Sequence, residues 1–328
     1  MASVASTAAR GPQGRASSSR LSRFRERETW YAYAFISPWA FGFLALTLGP
    51  MIASLYFSFT DYGIEQIAGF KPTEYVGAAN YRQLMDDPKV GTALVNTLTY
   101  TVMMVPATML VALGLAMVLL RIGRAAGFFR TVFYLPQMTP PVAVAILLLL
   151  MFNGSTGIVN EGLGLFNIPG PFWTSDPSWI KPGLVIMSVW SVGGTMVIYL
   201  AALRAVPQQL YEAAGMDGAG AWRKFRDVTL PMISPSLFFT FIILTIAGIT
   251  NFTEAFTAYF GPGQAGAEAP EAALMYTIYL FRQAFEFGAP GGMGFASAMA
   301  WLLFVIIMIV TLVNVLVSRR FVFYQGER

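Results

Sequence analysis

Residues 207–235 read PQQLYEAAGMDGAGAWRKFRDVTLPMISP, a polar, basic and glycine-rich stretch between two long apolar segments. A short link between two membrane spans needs neither glycines at fixed places nor a second amphipathic element, so this one reads as a surface made to be gripped. Pro207 suits a first helical turn, and the helix is expected to run to about Ala214 before Gly215, Gly218 and Gly220 break it. A second segment, Trp222 to Val228, sets Trp222 and Phe225 on one face and Arg223, Lys224 and Arg226 on the other, with Pro231 ending it. The pair makes a bracket with aromatic anchors and a basic rim, suited to a partner's groove. Ala213 and Ala214 allow close approach, and Glu212 offers a carboxylate near the turn. A basic loop resting on anionic lipid would also account for the arginines and Trp222. It would not account for Glu-Ala-Ala or the glycine spacing.

The composition fits a membrane solvent. Of 328 residues, 56% are hydrophobic and 12% charged, whereas soluble domains carry about 25% charged residues. With no Cys, neither a disulfide nor a thiolate nucleophile is possible, and with no His the commonest general base and metal ligand is missing. Most hydrolytic and metal-dependent chemistry is thereby set aside, and no metal site is expected. The net charge of +4 does not call for nucleic acid, because basic residues of a membrane protein serve mostly to orient it.

Charge-free stretches recur at 30–60, 90–120, 131–160, 182–203, 228–253 and 287–318. Each is longer than the roughly 20 residues that cross a hydrocarbon core of about 30 Å, so six transmembrane helices are expected in one all-α bundle. Pro38, Pro50, Pro106, Pro136, Pro140 and Pro141 lie within the first three, where the carbonyls they free need other partners. With the N-terminus cytosolic, 16 Lys and Arg fall on the cytosolic side and 5 on the outer side, which places both termini inside. The domain reading is a disordered basic tail over 1–29, a transmembrane domain over 30–318 with the bracket loop at 205–235, and a short tail over 319–328. A transit peptide has the same Ser, Ala and Arg composition as that first tail. From Glu271 to Phe287, Leu274, Ile278, Phe281 and Phe285 recur at helical spacing. That is either an amphipathic helix on the outer interface or an outward extension of the last span.

Glu212-Ala213-Ala214, three residues, Gly218, nine residues, then Val228-Thr229-Leu230-Pro231 resembles the EAA loop of binding-protein-dependent ABC importer permeases, with Val228 where the family often has Ile. Asn96-Thr97-Leu98, Leu135-Pro136, Ala296-Ser297-Ala298 and Arg319-Arg320-Phe321 with Tyr324 resemble its carbohydrate branch, the maltose and glycerol-phosphate type. The resemblance implies a type I permease bundle in a bacterial plasma membrane. It also implies a second homologous permease, two ATPase subunits and an extracytoplasmic solute-binding protein as partners, with lipid around them. The coupling residues it points to are Glu212, Ala213, Ala214, Asp217 and Gly218, with Trp222, Leu230 and Pro231 completing the loop. No Gly-x-x-x-x-Gly-Lys-Ser/Thr occurs, so ATP and Mg belong to the partner ATPases and this chain is expected to be neither an enzyme nor a cofactor carrier.

Polar side chains near the bilayer midplane are costly and therefore candidates for a solute path. Asn251 leads, because an amide both donates to and accepts from a sugar hydroxyl, and Glu254 can accept another. Thr250 is beside them; Trp190 and Ser191 in the fourth span offer a stacking face and a hydroxyl. Packing between helices accounts for such residues equally well. The run Asn251-Phe252-Thr253-Glu254-Ala255-Phe256 through Ala258-Tyr259-Phe260 to Gly261-Pro262-Gly263 departs from the aspartate and Leu-Thr-Gly-Gly-Gly-Pro-like run of many sugar permeases. The resemblance thus carries the fold and leaves the solute open: a sugar or oligosaccharide first, a phosphorylated polyol such as glycerol phosphate second. A phosphorylated solute calls for a cation facing the path, and none of the six stretches contains Lys or Arg. From other classes, a stand-alone secondary transporter would show inverted repeats or embedded acidic relays, and a lipid-modifying enzyme would want His or Cys.

Overall fold

The computed structural model describes residues 18–260, 271–286 and 292–321. Residues 1–17 of the N-terminal tail, Gly261-Pro262-Gly263, the start of the sixth expected span and Tyr324 with the chain's end lie outside the described residues. Among those described, the structure is helix and loop with one isolated bridge, Thr60 to Tyr75. Four unbroken helices are long and apolar enough to cross a membrane, and two bent pairs bring the number to six if each pair is one span.

The chain divides after Tyr56. The first unit is a helix over Ser18–Phe43, a π-helical turn over Leu44–Leu48 and a helix over Gly49–Phe57. Residues 18–29, expected as tail, are therefore helical. Its prolines are accommodated locally. Pro38 frees the carbonyl of Ala34, and the Ser37 hydroxyl donates to that carbonyl at 2.9 Å. Pro50 has no N–H for Leu46, and the chain widens into the π-turn just before it, with the Gly49 N–H reaching back to the Leu44 carbonyl.

The second unit is organised around the span Pro88–Arg121. Asp87 caps it by accepting from the Lys89 N–H, with Pro88 in the first turn. Its buried residues Val90, Ala93, Thr97, Tyr100, Met104, Thr108, Ala112, Ala116 and Leu119 recur at three- and four-residue steps, a stripe down one face. Ala93, Ala112, Ala116 and Ala298 are completely buried. In lipid, association rests on packing contact rather than on exclusion of water, so such small residues let backbones approach. One buried cluster gathers Tyr100, Leu184, Ile249, Tyr276, Ile278 and Met299; another gathers Leu113, Leu119, Met196, Tyr199, Leu203 and Ile233.

The third expected span, 131–160, is not one helix. Gly123–Met138 and Pro141–Met151 meet at 98°, because Pro140 holds Thr139 in an extended conformation and two successive prolines cannot continue the ladder. The fourth begins at Pro177, earlier than expected, capped by Asp176. Lys181 therefore lies inside the first part of the fourth span, and Arg130 lies inside the helix Ala126–Met138, which corrects the reading that no span holds a cation. The fourth span bends by 55° between Pro177–Trp190 and Gly193–Ala205. Gly193 is pressed against the third span at this bend: a Cβ there would sit 2.6 Å from the Phe133 carbonyl oxygen. The neighbouring Gly194 N–H donates to the Gln137 side-chain oxygen.

The sixth span is a helix over Gly292–Phe321. Between the fifth and sixth, a turn over Glu271–Ala273 and a helix over Tyr276–Phe285 form an element of their own. Tyr276, Ile278 and Tyr279 are buried, so this helix packs into the protein rather than lying on a surface. It is held by Asn96, whose side-chain nitrogen donates to the carbonyls of Glu271 at 2.9 Å and Leu274 at 3.1 Å.

Candidate functional site

The bracket is built from three local devices. Its first helix runs over Gln208–Met216, two residues beyond the expected stop, because a single glycine at 215 does not end a helix. Gly218 does: with φ +74° it turns the chain, and the Gly218 and Ala219 N–H groups return to the carbonyls of Gly215 and Ala214. The second helix starts at Ala221, and Lys224 reaches back over the first. A Cβ at Gly215 would lie 3.0 Å from the Lys224 ammonium nitrogen, which stands where the partial negative charge of a helix C-terminus favours a cation.

Pro231 does not end the second segment as expected. A π-turn over Phe225–Thr229, closed by the Leu230 N–H to the Phe225 carbonyl, widens the helix so that the proline ring is accommodated. The chain then continues without a break into Leu230–Ile249. The second helix of the bracket and the fifth span are thus one continuous element. The next proline, Pro235, frees the Pro231 carbonyl, and the Ser234 hydroxyl takes it at 2.7 Å.

The free face of the bracket is composed of Glu212, Ala213, Gly215, Met216, Asp217 and Gly218, all exposed, with Trp222 beside them. Met216 is 85% exposed and Trp222 71%. Trp222 packs on Phe225 with ring centroids 5.6 Å apart, and Arg226 pairs with Asp227 at 2.7 Å on the exposed rim. Ala214 is half-buried, and Leu230 and Pro231 are partly covered at the root of the span. Large apolar side chains are thus held exposed next to small ones and carboxylates, the composition expected of a surface that a partner covers. Met216 was missed in the sequence, where nothing separates it from a core methionine.

A second constellation lies at the other end of the same helix. After Ile249 the helix breaks at Thr250-Asn251-Phe252 and resumes over Thr253–Tyr259. The Asn251 side-chain nitrogen donates to the Tyr100 hydroxyl at 3.3 Å and to the Glu254 carboxylate at 3.2 Å. Tyr100 in turn meets the Ser188 hydroxyl at 2.6 Å, and Ser188 donates to the Leu184 carbonyl. The Thr277 hydroxyl donates to the Asn251 backbone carbonyl. The proton order follows: with Ser188 donating onward, Tyr100 donates to Ser188 and accepts from Asn251. The Asn251 side-chain oxygen is left buried without a partner, which costs roughly 1–3 kcal/mol. Three spans and the Tyr276–Phe285 helix therefore meet at one amide.

Of the five residues expected on a solute path, the structure joins Asn251 and Glu254. Thr250 is exposed and its hydroxyl donates to the Ile246 carbonyl at 2.8 Å. Trp190, 48% exposed, and Ser191 sit at the bend of the fourth span, one turn from Ser188. Sequence reasoning missed Tyr100, Ser188 and Thr277. Tyr100 and Ser188 carried a readable signal as polar groups inside charge-free stretches.

Residues 108–323 match the family model described as the binding-protein-dependent transport system inner membrane component. The chain belongs to that family. Among relatives, it is 35% identical over 312 residues to the probable ABC transporter permease protein YesP of Bacillus subtilis (strain 168), covering 94% of this chain and 96% of that one. It is 33% identical to the lactose transport system permease protein LacF of Rhizobium radiobacter, over 83% and 88% of the two chains. A further relative is the arabinooligosaccharides transport system permease protein AraP of Halalkalibacterium halodurans, 30% identical over 93% and 92%. The fold is similar to that of a chain in the structure of a bacterial ABC transporter involved in the import of the acidic polysaccharide alginate, with TM-score 0.73, 25% identity and coverage of 92% of this chain and 99% of that one. The bracket and, of the amide cluster, Ser188, Asn251, Glu254 and Thr277 of this inner membrane component lie within the matched residues; Tyr100 precedes them.

Proposed function

We propose that the chain is one membrane-spanning half of an ATP-driven importer for a neutral sugar or oligosaccharide, docking ATPase subunits on its bracket and contacting solute at the Asn251 cluster. The carrying observation is the continuity of the second bracket helix with the fifth span: the helix that starts at Ala221, directly after the Glu212 to Gly218 face, runs to the break that carries Asn251. Closure of two partner ATPases would move Glu212 to Gly218, tilt the fifth span and open the path by rigid-body alternating access. ATP and Mg belong to those partners. A second, similar permease would supply the other half, and an extracytoplasmic binding protein would deliver solute, as the family description supports. Both termini are on the cytosolic side in this reading, from the Lys and Arg asymmetry.

A sugar is supported by the substrates in the names of the lactose and arabinooligosaccharide relatives and by the amide and carboxylate at the cluster, which suit hydroxyl groups. The Glu254 carboxylate would repel a phosphate, so a phosphorylated polyol ranks second; Lys181 and Arg130 lie near span ends, apart from Asn251's partners. The test is solute-stimulated ATP hydrolysis by the purified complex carrying Glu212→Lys or Gly218→Pro. Loss of stimulation is expected, because the first reverses a docking charge and the second cannot adopt φ +74°. Unchanged stimulation would sink the docking assignment. A saccharide panel against the partner binding protein then names the solute.

A further inference from the structure

The first helix of the bracket touches the root of the fifth span directly, apart from the covalent chain. The Tyr211 hydroxyl lies 2.9 Å from the Thr229 hydroxyl, 18 residues further on. Thr229 is buried, 6% exposed, and its oxygen also lies 3.4 Å from the Lys224 carbonyl, one residue before the π-turn. Tyr211 faces inward from a helix whose next two residues are exposed, and it packs with Phe225, Val228 and Leu230 against the buried cluster around Leu113, Tyr199 and Leu203. The Lys224 ammonium lies over Gly215 and so brings the second bracket helix against the first.

This pair sits at a joint. A π-turn leaves one residue more than the α-ladder can use, and Pro231 fixes where that residue falls. Above the joint, Leu230–Ile249 is a helix of 20 residues, about 30 Å at 1.5 Å per residue, ending at the break that carries Asn251. The rod therefore has a compliant turn at the bracket and a break at the amide cluster. A push on Glu212 to Gly218 would be absorbed by the π-turn unless something braces it, and the Tyr211–Thr229 pair ties the first bracket helix to the turn's last residue, at the root of the fifth span.

We propose that Tyr211 and Thr229 are positioning residues that lock the bracket to the fifth span, so that movement of the docking face becomes movement of the span. The proposal rests on the reading that the bracket docks the ATPase. Its test uses the complete importer of this chain with its partner permease, ATPase subunits and binding protein. The chain has no Cys, so spin labels can be placed on single cysteines at the exposed positions Gly220 and Phe239. In the unaltered complex the distance between them stays constant when ATP and then ADP-vanadate are added. With Tyr211→Phe or Thr229→Val the distance is expected to shift or broaden with nucleotide. Binding-protein-stimulated hydrolysis is expected to fall by about fivefold or more, the lower end of an allosteric coupling, while basal hydrolysis and subunit association persist. Thr229→Ser, which keeps the hydroxyl, restores both.

Tyr211→Phe retains the ring and its packing, so it reports on the bond even if Thr229→Val assembles poorly. An unchanged distance and unchanged stimulation in Tyr211→Phe overturn the lock. Failure of the docking reading is seen separately, as ATPase subunits that still co-purify with Glu212→Lys.

Discussion

The side-chain nitrogen of Asn251 lies 3.3 Å from the hydroxyl of Tyr100, a residue 151 positions earlier, and this bond ties the break in the fifth span to the middle of the second. Tyr100→Phe keeps the ring and removes the acceptor. Because it loses both the bond from Asn251 and the bond to Ser188, it is expected to lower thermal stability by about 2 kcal/mol, about 1 for each hydrogen bond, and to lower solute uptake severalfold. Asn251→Ala removes the amide altogether and is expected to abolish uptake while subunits still assemble. Uptake into proteoliposomes, with assembly checked by co-purification, separates path from scaffold; normal uptake by Asn251→Ala would remove Asn251 from the path.

Gly193 is the second prediction. Its missing side chain lets the fourth span meet the backbone of Phe133 and Tyr134 at the bend. Gly193→Ala forces two helices apart and is expected to cost about 1–3 kcal/mol, as overpacking does. Gly91→Ala is the control: it lies in the helix Pro88–Arg121 with nothing within 4 Å of its would-be Cβ, and the added methyl should be neutral or stabilise by about 0.5–1 kcal/mol. Detergent-solubilised melting temperatures of the two variants should move in opposite directions or differ clearly.

What the sequence disclosed follows from how local each signal is. Charge-free length and Lys and Arg asymmetry are properties of segments, so the spans could be counted, and the Glu-Ala-Ala to Pro231 spacing located the bracket before any coordinates. The 98° bend was signalled by Pro140 and Pro141 but read as tolerated, because whether a proline kinks or breaks a span depends on what packs beside it. The continuation past Pro231 was misread for a related reason: a π-turn satisfies the proline by geometry that has no residue signature of its own. Partners of Asn251 lie 151 and 26 residues away, at Tyr100 and Thr277, and such pairings are set by helix packing alone. The amide itself was chosen on the expense of a polar group in a span, a local signal that names the residue and none of its partners.

Asn96 provides the third prediction. Its one amide nitrogen satisfies two carbonyls of the Glu271 to Leu274 turn, while neighbouring Thr97 accepts from the Tyr276 N–H at 2.9 Å. Asn96→Ala would leave both carbonyls short of a donor inside the protein, at roughly 1–3 kcal/mol. Asn96→Asp should be no better, since a carboxylate offers these carbonyls no donor. Faster protease cleavage near Glu271 and a lower melting temperature in both variants are the expected results. Equal loss from Thr97→Ser, which keeps its hydroxyl, is not expected.

A pH dependence follows from the other end of that helix. The Tyr279 hydroxyl donates to the carboxylate of Asp87, the residue that caps the second span, and Gln283 donates to Tyr279 at 2.7 Å. Burial pushes the Tyr279 phenol up to about 12, and the Asp87 carboxylate beside it pushes the same way. The folded-state value is therefore above the ordinary value of 10, and the sign is fixed: the neutral phenol is favoured by folding. Its contribution is complete below pH 10 and is lost as pH rises toward about 12, where a phenolate would face Asp87. Melting temperature should therefore fall across that alkaline window in the unaltered protein. In Tyr279→Phe the bond is already gone, so the melting temperature should start lower at neutral pH and fall less steeply over the same range. Asp87→Asn keeps an acceptor oxygen but removes the charge, and it should shift the midpoint of the fall to lower pH by weakening the carboxylate's push. A fall of equal steepness in Tyr279→Phe would assign the alkaline loss to other groups and leave the Tyr279–Asp87 bond without a role in it.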